Sequence, residues 1–289
     1  MRTLLLSIFI FFSFHLEATA QDSVYYSVLW TPTHSYQRAG VKQEGVFWHS
    51  YKNGVLQDSI LLETKIYDSL GQLLRLDDYQ RNKMRTRFQY HYSGRRLDSI
   101  VQEEIWLSAK IIHRHSYDDN GNLLGKQTFS RGRKTVQERY VYNNVNQLFQ
   151  IYRQISDGPE MLVSEYKYRS DRLMQQIDYL YEGSNAANNF SYIYTYANGN
   201  RTATKLFQRM GKEKRLIDCI RTYNEQAQLV EKINPPLPKT DWLPPDVYPR
   251  SEEFVETFVY HSNGMLAERQ VRVNDKLVAV EKHVYVYNR

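Results

Sequence analysis

The chain has 289 residues, with 38 Lys and Arg against 32 Asp and Glu, a formal net charge of +6, and 24 tyrosines. Its single cysteine excludes a disulfide framework and an all-cysteine zinc site within the chain. A hydrophobic content of 42% argues against global disorder, and the low counts of glycine (13) and proline (8) exclude a collagen-like sequence.

Residues 1–20 have the pattern of a cleavable signal peptide. A basic start at Arg2 precedes an apolar run from residue 4 to residue 14, and the small residues Ala18-Thr19-Ala20 follow. The run is too short to span a bilayer comfortably, and no later apolar stretch approaches the ~18 residues of a transmembrane helix. We therefore expect export to the periplasm, the outer surface or the extracellular space, with no transmembrane segment in the mature chain.

A tyrosine recurs along the chain at a nearly constant spacing, and we interpret it as the anchor of a repeat. Most intervals are 25 to 28 residues long, and one is 37. In most copies Asp, Asn or Ser follows the tyrosine closely, and a leucine stands five or six positions after it. The nine structural repeat anchors are Tyr67, Tyr92, Tyr117, Tyr142, Tyr168, Tyr196, Tyr223, Tyr260 and Tyr287.

Each repeat unit divides into two strands and two turns. Aromatic residues recur at every second position before an anchor, as at Phe88, Tyr90 and Tyr92, which is typical of a β-strand. Asp, Asn and Gly residues suit a tight turn after the anchor, and a second turn signal, such as Asn53-Gly54, lies midway to the next anchor. The pattern predicts an all-β fold, an antiparallel meander of about 16–18 strands from ~25-residue hairpin repeats, as a curled sheet or an open barrel-like shell.

The repeats define the expected domain organisation. After the signal peptide, residues 21–44 form an N-terminal segment, and residues 45–289 form the β-hairpin repeat domain. Charges fall on both faces of the predicted strands, as at Arg75 and at Asp77-Asp78. This does not match the unbroken apolar outer band of a lipid-embedded barrel.

A Pro-rich loop insertion at 234–249 interrupts the repeat. Proline removes backbone donors, so this segment cannot be a central strand. Loops on rigid scaffolds often carry binding residues, and the loop candidates here are Trp242, Tyr248 and Lys239. The alternative is a loop that folds over the sheet edge, with Trp242 filling the core.

The remaining sequence features indicate no cofactor, metal or catalytic site. His113 and His115 share a strand face, but they occupy the places that Phe88 and Tyr90 hold one unit earlier. A metal would need a third ligand. No nucleophile elbow, zinc-protease helix motif or phosphate-binding glycine loop occurs. Basic residues between the tyrosines suit solvated strands with a weak bias towards anionic polymers, and we expect no nucleic-acid partner.

The segments YDSLGQLL from Tyr67 and YDDNGNLL from Tyr117 resemble the YD repeats of Rhs-type proteins. That resemblance covers about residues 64–289 and implies short units that build a spiralling β-sheet shell in secreted toxins and surface proteins. The units here are longer than is usual in that family. The last full copy, from Tyr260, is also similar to the MORN-type hairpin repeat.

Three functional hypotheses follow. The first is an exported bacterial repeat protein that acts as a non-enzymatic binding or scaffold element, with an envelope protein or polysaccharide as partner. The second is an enzyme or enzyme subunit with a cleft between the curled sheet and the 234–249 loop. The third is a structural shell or assembly partner whose sheet edges pair with another protein. The sequence does not distinguish oligomeric states.

Overall fold

A computed structural model describes residues 40–52, 54–179, 189–197, 199–210, 212–234, 236 and 252–287. These residues form eighteen β-strands and one short 3-10 turn, Ile105–Leu107, between the fifth and sixth strands. The prediction of an all-β antiparallel meander is confirmed, and the strand number is the upper end of the expected range.

The first nine strands are β1 (Val41–Lys52), β2 (Val55–Tyr67), β3 (Leu73–Gln80), β4 (Lys83–Ser93), β5 (Arg96–Glu104), β6 (Ala109–Tyr117), β7 (Leu123–Ser130), β8 (Arg133–Tyr142) and β9 (Leu148–Ile155). The other nine are β10 (Glu160–Arg169), β11 (Arg172–Tyr179), β12 (Asn189–Ala197), β13 (Asn200–Met210), β14 (Lys212–Tyr223), β15 (Leu229–Asn234), β16 (Phe254–Tyr260), β17 (Leu266–Val273) and β18 (Lys276–Tyr287). The first strand includes residues 41–44, which the sequence assigned to the N-terminal segment.

The sheet closes into a barrel. Every strand pairs antiparallel with its neighbour in sequence, and β1 also pairs with β18, from Val41 opposite Tyr287 to Ser50 opposite Ala279. The sequence predicted a curled sheet or an open barrel-like shell. The structure instead shows closure, because the first and last strands complete each other's hydrogen-bond ladders and leave no free lateral edge among the described strands.

The hairpin turns alternate between the two ends of the barrel. We call the end with the turns that follow the anchor tyrosines the motif end, and the other end the opposite end. In the motif turn after Tyr67, the carboxylate of Asp68 accepts hydrogen bonds from the backbone N–H groups of Leu70 and Gln72. Gly71 adopts a φ of 76°, a conformation that glycine reaches without strain. The same turn recurs after Tyr117, where Asp118 accepts from the N–H of Asn122.

A β-bulge lies beside each motif turn. The pairing register shifts immediately before the anchor in all eight described hairpins of this end, as between Ile66 and Tyr67 and between Val141 and Tyr142. At each bulge the strand after the turn carries one extra residue. In β3 this residue is Leu74, so Tyr67 lies opposite Leu73. Tyr67 and Leu73 are both buried, whereas Leu74 is exposed.

Candidate functional site

Strand pairing divides the wall of the barrel into an inner and an outer face. Directly opposed residues of neighbouring strands point to the same side of a sheet. These pairs place Glu44, Lys65 and Leu76 on one face, and the series continues around the barrel to Glu281 in β18. This face is the more deeply buried, since Glu281 is buried while Val284, on the other face of β18, is exposed. We therefore assign it as the inner face.

A row of charged side chains crosses the inner face where the first and last strands meet. The groups alternate in sign along the row, which runs over β2, β1, β18, β17, β16 and β15, with two groups from β18 and one from each other strand. We call this row the charged belt, which consists of Lys65, Glu44, His283, Glu281, Arg269, Glu256 and Lys232.

The two halves of the charged belt meet at His283. Its Nδ1 lies 2.7 Å from Oε1 of Glu44, and its Nε2 lies 3.0 Å from Oε1 of Glu281. Burial opposes the charged imidazole, but the hydrogen bonds to Glu281 and Glu44 outweigh it and raise the pKa of His283. Each ring nitrogen then donates to a carboxylate, as only a protonated histidine can. Lys65 Nζ, 3.7 Å from Glu44 Oε2, completes this half of the belt.

The carboxylates on both sides of His283 are held in the charged form. Burial works to raise the pKa of Glu44, but Lys65 and His283 lower it to about 2. Burial likewise opposes ionisation of Glu281, and His283 and Arg269 lower its pKa to about 2. A buried carboxylate with a depressed pKa is stabilised by its neighbours and is a poor acceptor of protons at neutral pH.

Arg269 joins the second half of the charged belt. Its two terminal nitrogens lie 2.8 Å from Glu281 and 2.9 Å from Glu256. Glu256 also contacts Lys232 at 3.0 Å and accepts a hydrogen bond from the side-chain amide of Asn234 at 2.9 Å. The five groups come from the four neighbouring strands β15 to β18, so this half of the belt connects the strands beside the seam, and the contact of Glu44 with His283 crosses the seam itself.

The inner face carries a buried apolar cluster on the other side of the barrel, half a turn of strands away. Strands β7 to β10 contribute a buried cluster that we call the apolar wall, Leu123, Tyr140, Ile151 and Tyr166. Its members are 2–4% exposed, and the anchors Tyr117, Tyr142 and Tyr168 pack against it. Charge pairing accompanies this cluster, since Arg153 lies 2.7 Å from Glu138 on the same face. Apolar packing likewise accompanies the charged belt, where Val41, Tyr67, Leu73 and Met265 form a second buried cluster.

The anchor tyrosines tie each motif hairpin to the preceding one. Tyr92, for example, donates its phenolic O–H to the backbone carbonyl of Leu73 at 3.0 Å. The same bond runs from Tyr117 to Leu97, Tyr142 to Leu123, Tyr196 to Leu173 and Tyr260 to Leu229, at 2.7–3.1 Å. Tyr168 and Tyr223 stand at the corresponding hairpin positions of β10 and β14.

The first and last anchors differ from the others. Tyr67 donates to Glu44 of the charged belt at 2.9 Å. In the last copy, the bond to the carbonyl of Leu266 is made by Tyr285, at 2.8 Å, and not by the expected Tyr287, which is 44% exposed. Tyr285 and Tyr287 lie two positions apart on β18, and the tyrosine that makes the bond is the one 25 residues after Tyr260. That 25-residue interval is the signal that identifies Tyr285 in the sequence.

A second set of bonds connects neighbouring motif turns. The residue before the leucine of the motif donates from its side-chain amide to the next turn. The pairs are Gln72 to the carbonyl of Gly94, Asn122 to the side chain of Asn146, Gln147 to the carbonyl of Ser170 and Gln228 to the carbonyl of Gly264. The motif residues thus stabilise the wall.

His113 lies on the inner face, between two polar partners. Its ring nitrogens are 3.0 Å from Thr128 Oγ1 and 3.3 Å from Gln102 Oε1. Burial lowers the pKa of His113 to about 3 and that of His115 to about 4, with a further contribution from Lys126. Both rings are therefore neutral at physiological pH. Within the part of the chain that the structure describes, no group of three His, Cys, Asp or Glu side chains is arranged to hold a metal ion.

The binding residues that the sequence proposed, Trp242, Tyr248 and Lys239, lie outside the described residues. The structure brings together a set that sequence reasoning missed, the charged belt. Its members Glu44 and His283 are separated by 239 positions, and no local pattern marks them as neighbours. The available signal was the presence of charged residues at inward positions of otherwise aromatic strands.

Among the described residues, no helix has the length and hydrophobicity needed to cross a membrane. A family model described as "Uncharacterised protein" matches residues 65–191. A comparison with curated protein sequences finds no match.

Comparison with solved structures finds matches at low sequence identity and with TM-scores below 0.5. A porin-like protein from Bacteroides uniformis ATCC 8492 is 10% identical, with a TM-score of 0.43 over 86% of this chain and 97% of that chain. A complex titled TcdB2-TccC3-Cdc42 is 12% identical, with a TM-score of 0.30, and the one titled TcdB2-TccC3-TEV is 13% identical, with a TM-score of 0.36. In both complexes the match covers 81% of this chain and 14% of that chain.

Proposed function

We propose that this protein is an exported bacterial β-repeat shell, similar to YD-repeat proteins, that acts as a non-enzymatic binding or scaffold element of the cell envelope or exterior. The observation that carries the proposal is the charged belt. Each of its seven charged groups contacts a group of opposite charge on a neighbouring strand. Charges used in this way hold a wall in register and are not poised for proton transfer.

The amino-terminal sequence supports the exported location. A basic residue, an apolar run and an Ala-Thr-Ala ending match the pattern that export machinery recognises. The predicted mature chain therefore begins at Gln21. The proposed destination is the periplasm, the outer surface or the extracellular space. In each of these the protein would be in contact with components of the cell envelope.

The position of the partner follows from closure of the sheet. Because β1 and β18 pair, the described sheet offers no free edge strand, so a partner binds on the outer face, at an end or through a loop. The outer face carries ion pairs in mid-strand, where the buried Asp77 lies 2.7 Å from Arg87 and 3.2 Å from Arg75. The guanidinium groups of the two arginines are partly exposed and suit contact with water and polar partners.

A retention experiment with envelope extract tests the proposal. The mature chain, immobilised and checked for strand content by circular dichroism, is expected to retain a specific envelope protein or polysaccharide. A matched variant lacking residues 235–249 locates the contact, since the loop hypothesis with Trp242, Tyr248 and Lys239 requires retention to be lost. Folded protein that retains no envelope component would contradict the binding role, and retention that survives the deletion would move the contact away from the loop.

A further inference from the structure

The turn between β5 and β6 exposes three consecutive apolar side chains at the opposite end of the barrel. Ile105, Trp106 and Leu107, which we call the apolar tip, are 43%, 59% and 68% exposed. They form the 3-10 turn, which ends at Ser108 in the left-handed conformation, with a φ of 48°. Large apolar side chains that are exposed in sequence and in space mark an interaction site more often than scattered ones.

The apolar tip is held in its exposed position. The indole N–H of Trp106 donates to the backbone carbonyl of Met84 at 3.0 Å, which fixes the ring against the neighbouring β3–β4 hairpin. The N–H of Ser108 closes the turn on the carbonyl of Ile105. The polar atom of the indole is thus satisfied within the protein, and the exposed part of the tip is hydrocarbon.

Exposed basic residues lie on both sides of the apolar tip, in three successive turns at this end, residues 81–83, 105–110 and 131–134. The acidic residues next to the tip, Glu103 and Glu104, are only partly exposed, and Glu104 accepts hydrogen bonds from Thr86 and Gln102. We call the exposed cations of the three turns the basic rim, which consists of Arg81, Lys83, Arg131, Arg133, Lys134 and Lys110. Neighbouring hairpins are about 10 Å apart, so the rim extends to both sides of the tip.

Other described turns at the opposite end are less basic. The β9–β10 turn carries Asp157 and Glu160, and in the β17–β18 turn Asp275 stands next to Lys276. Among the described turns the positive charge is therefore concentrated on the side of the apolar tip, from Lys52 to Lys134. Because the positive charge is on one side of the opposite end, an anionic surface would attract the barrel with that side first.

We propose that the apolar tip and the basic rim dock the barrel on an anionic lipid surface. Trp and Leu side chains enter the boundary between head groups and acyl chains, while Lys and Arg contact anionic head groups. A soluble anionic polymer would satisfy the basic rim and leave the tip in water, so the tip favours a lipid surface. This inference goes beyond the proposed function, because it adds a lipid surface at the apolar tip to the envelope protein or polysaccharide named there, and it rests on the proposed envelope location.

Sedimentation with lipid vesicles tests the inference. The mature protein is expected to bind vesicles that contain phosphatidylglycerol and not vesicles of phosphatidylcholine alone, and added salt should weaken binding. The double variant W106S/L107S should bind about tenfold or more weakly because apolar burial is lost. The double variant R131E/R133E should lose a similar factor at low salt through reversed charge. The exposed Val145 lies in a motif turn, so V145S is the matched control and should bind normally.

The outcomes separate the inference from the proposed function. If W106S/L107S binds vesicles as tightly as the original chain, the attraction is through charge alone and the lipid assignment is overturned. The same conclusion follows if soluble dextran sulfate displaces the original chain and the tip variant from vesicles equally well. If vesicles do not bind but an envelope component is retained by the immobilised chain, the docking inference fails and the binding role stands. If neither is bound, both are contradicted.

Discussion

The charged belt and the apolar wall perform the same task on opposite sides of one barrel with different chemistry. At the apolar wall, neighbouring strands are also neighbours in sequence, and the hairpins alone bring Tyr140 and Ile151 together. At the seam, β1 and β18 come from distant parts of the chain, and directional pairs such as Glu44 with His283 match them. The seam also contains a buried apolar cluster, Val41, Tyr67, Leu73 and Met265. We therefore interpret the contrast as the addition of directional charge pairs at the seam, which fix the register of β1 against β18 where no hairpin does so.

The largest expected effect comes from opening the charged belt. R269A removes the cation between Glu256 and Glu281 and leaves two buried carboxylates with fewer partners, so we expect a loss of about 3–5 kcal/mol in the free energy of unfolding, measured in urea. The control is R139A, which breaks the exposed pair with Glu160 and should cost less than about 1 kcal/mol. Equal losses in the two variants would show that the belt is not a stabilising seam.

The apolar wall should respond to loss of volume. I151A removes three methyl or methylene groups from a site that is 2% exposed, and we expect it to cost about 2–4 kcal/mol in urea unfolding. Ile155 stands four positions later in the chain and is 54% exposed, so I155A provides a control of the same chemistry with a loss below about 0.5 kcal/mol. Similar costs at both positions would contradict the packing assigned to the wall.

Acid should weaken the barrel in two stages. His113 has a folded-state pKa of about 3 against an ordinary value of 6.5, so the unfolded chain takes up the proton first and stability falls as the pH drops below about 6.5. His283, whose pKa is raised, works in the opposite direction, since its contribution is present below 6.5 and is lost as the pH rises through its folded-state pKa. Glu44 and Glu281 add a second loss, from about pH 4.5 towards 2.

The variant H113F separates these contributions, because phenylalanine is the residue one repeat earlier, at Phe88. We expect H113F to reduce the decline in the free energy of unfolding between pH 7 and pH 5, measured by urea titration at each pH, and His115, whose pKa is lowered to about 4, to account for the part that remains. The decline below pH 4.5 should persist, because H113F leaves the lowered pKa values of Glu44 and Glu281 in place. An unchanged slope between pH 7 and pH 5 would contradict the assignment to His113.

The smallest effect is expected from the tyrosine ties, which occur on both sides of the barrel. Y142F, beside the apolar wall, and Y285F, at the seam, each remove one bond to a backbone carbonyl and should cost about 1 kcal/mol in urea unfolding. Y287F alters an exposed ring and should cost a few tenths at most. A larger cost for Y287F than for Y285F would restore Tyr287 as the last anchor.

The sequence predicts the features that are local and fails where distant strands meet. The alternation before Tyr92 and the turn residues Asp68 and Gly71 identify strands and turns, because each depends on a few neighbouring residues. Closure and the charged belt were not predictable, because the contact of Glu44 with His283 depends on the total curvature that seventeen consecutive strand pairings add up to. The bulges were missed because an unpaired extra residue leaves no compositional mark.

The pairing of β1 with β18 also orders the events of folding. Of the eighteen strand pairings, seventeen join strands adjacent in sequence, and each of these can form before the rest of the sheet is in place. The eighteenth must wait for residues 276–287, so the outer edge of β1 is exposed to intermolecular pairing until β18 has formed. We therefore expect ring closure to be the concentration-sensitive step of folding.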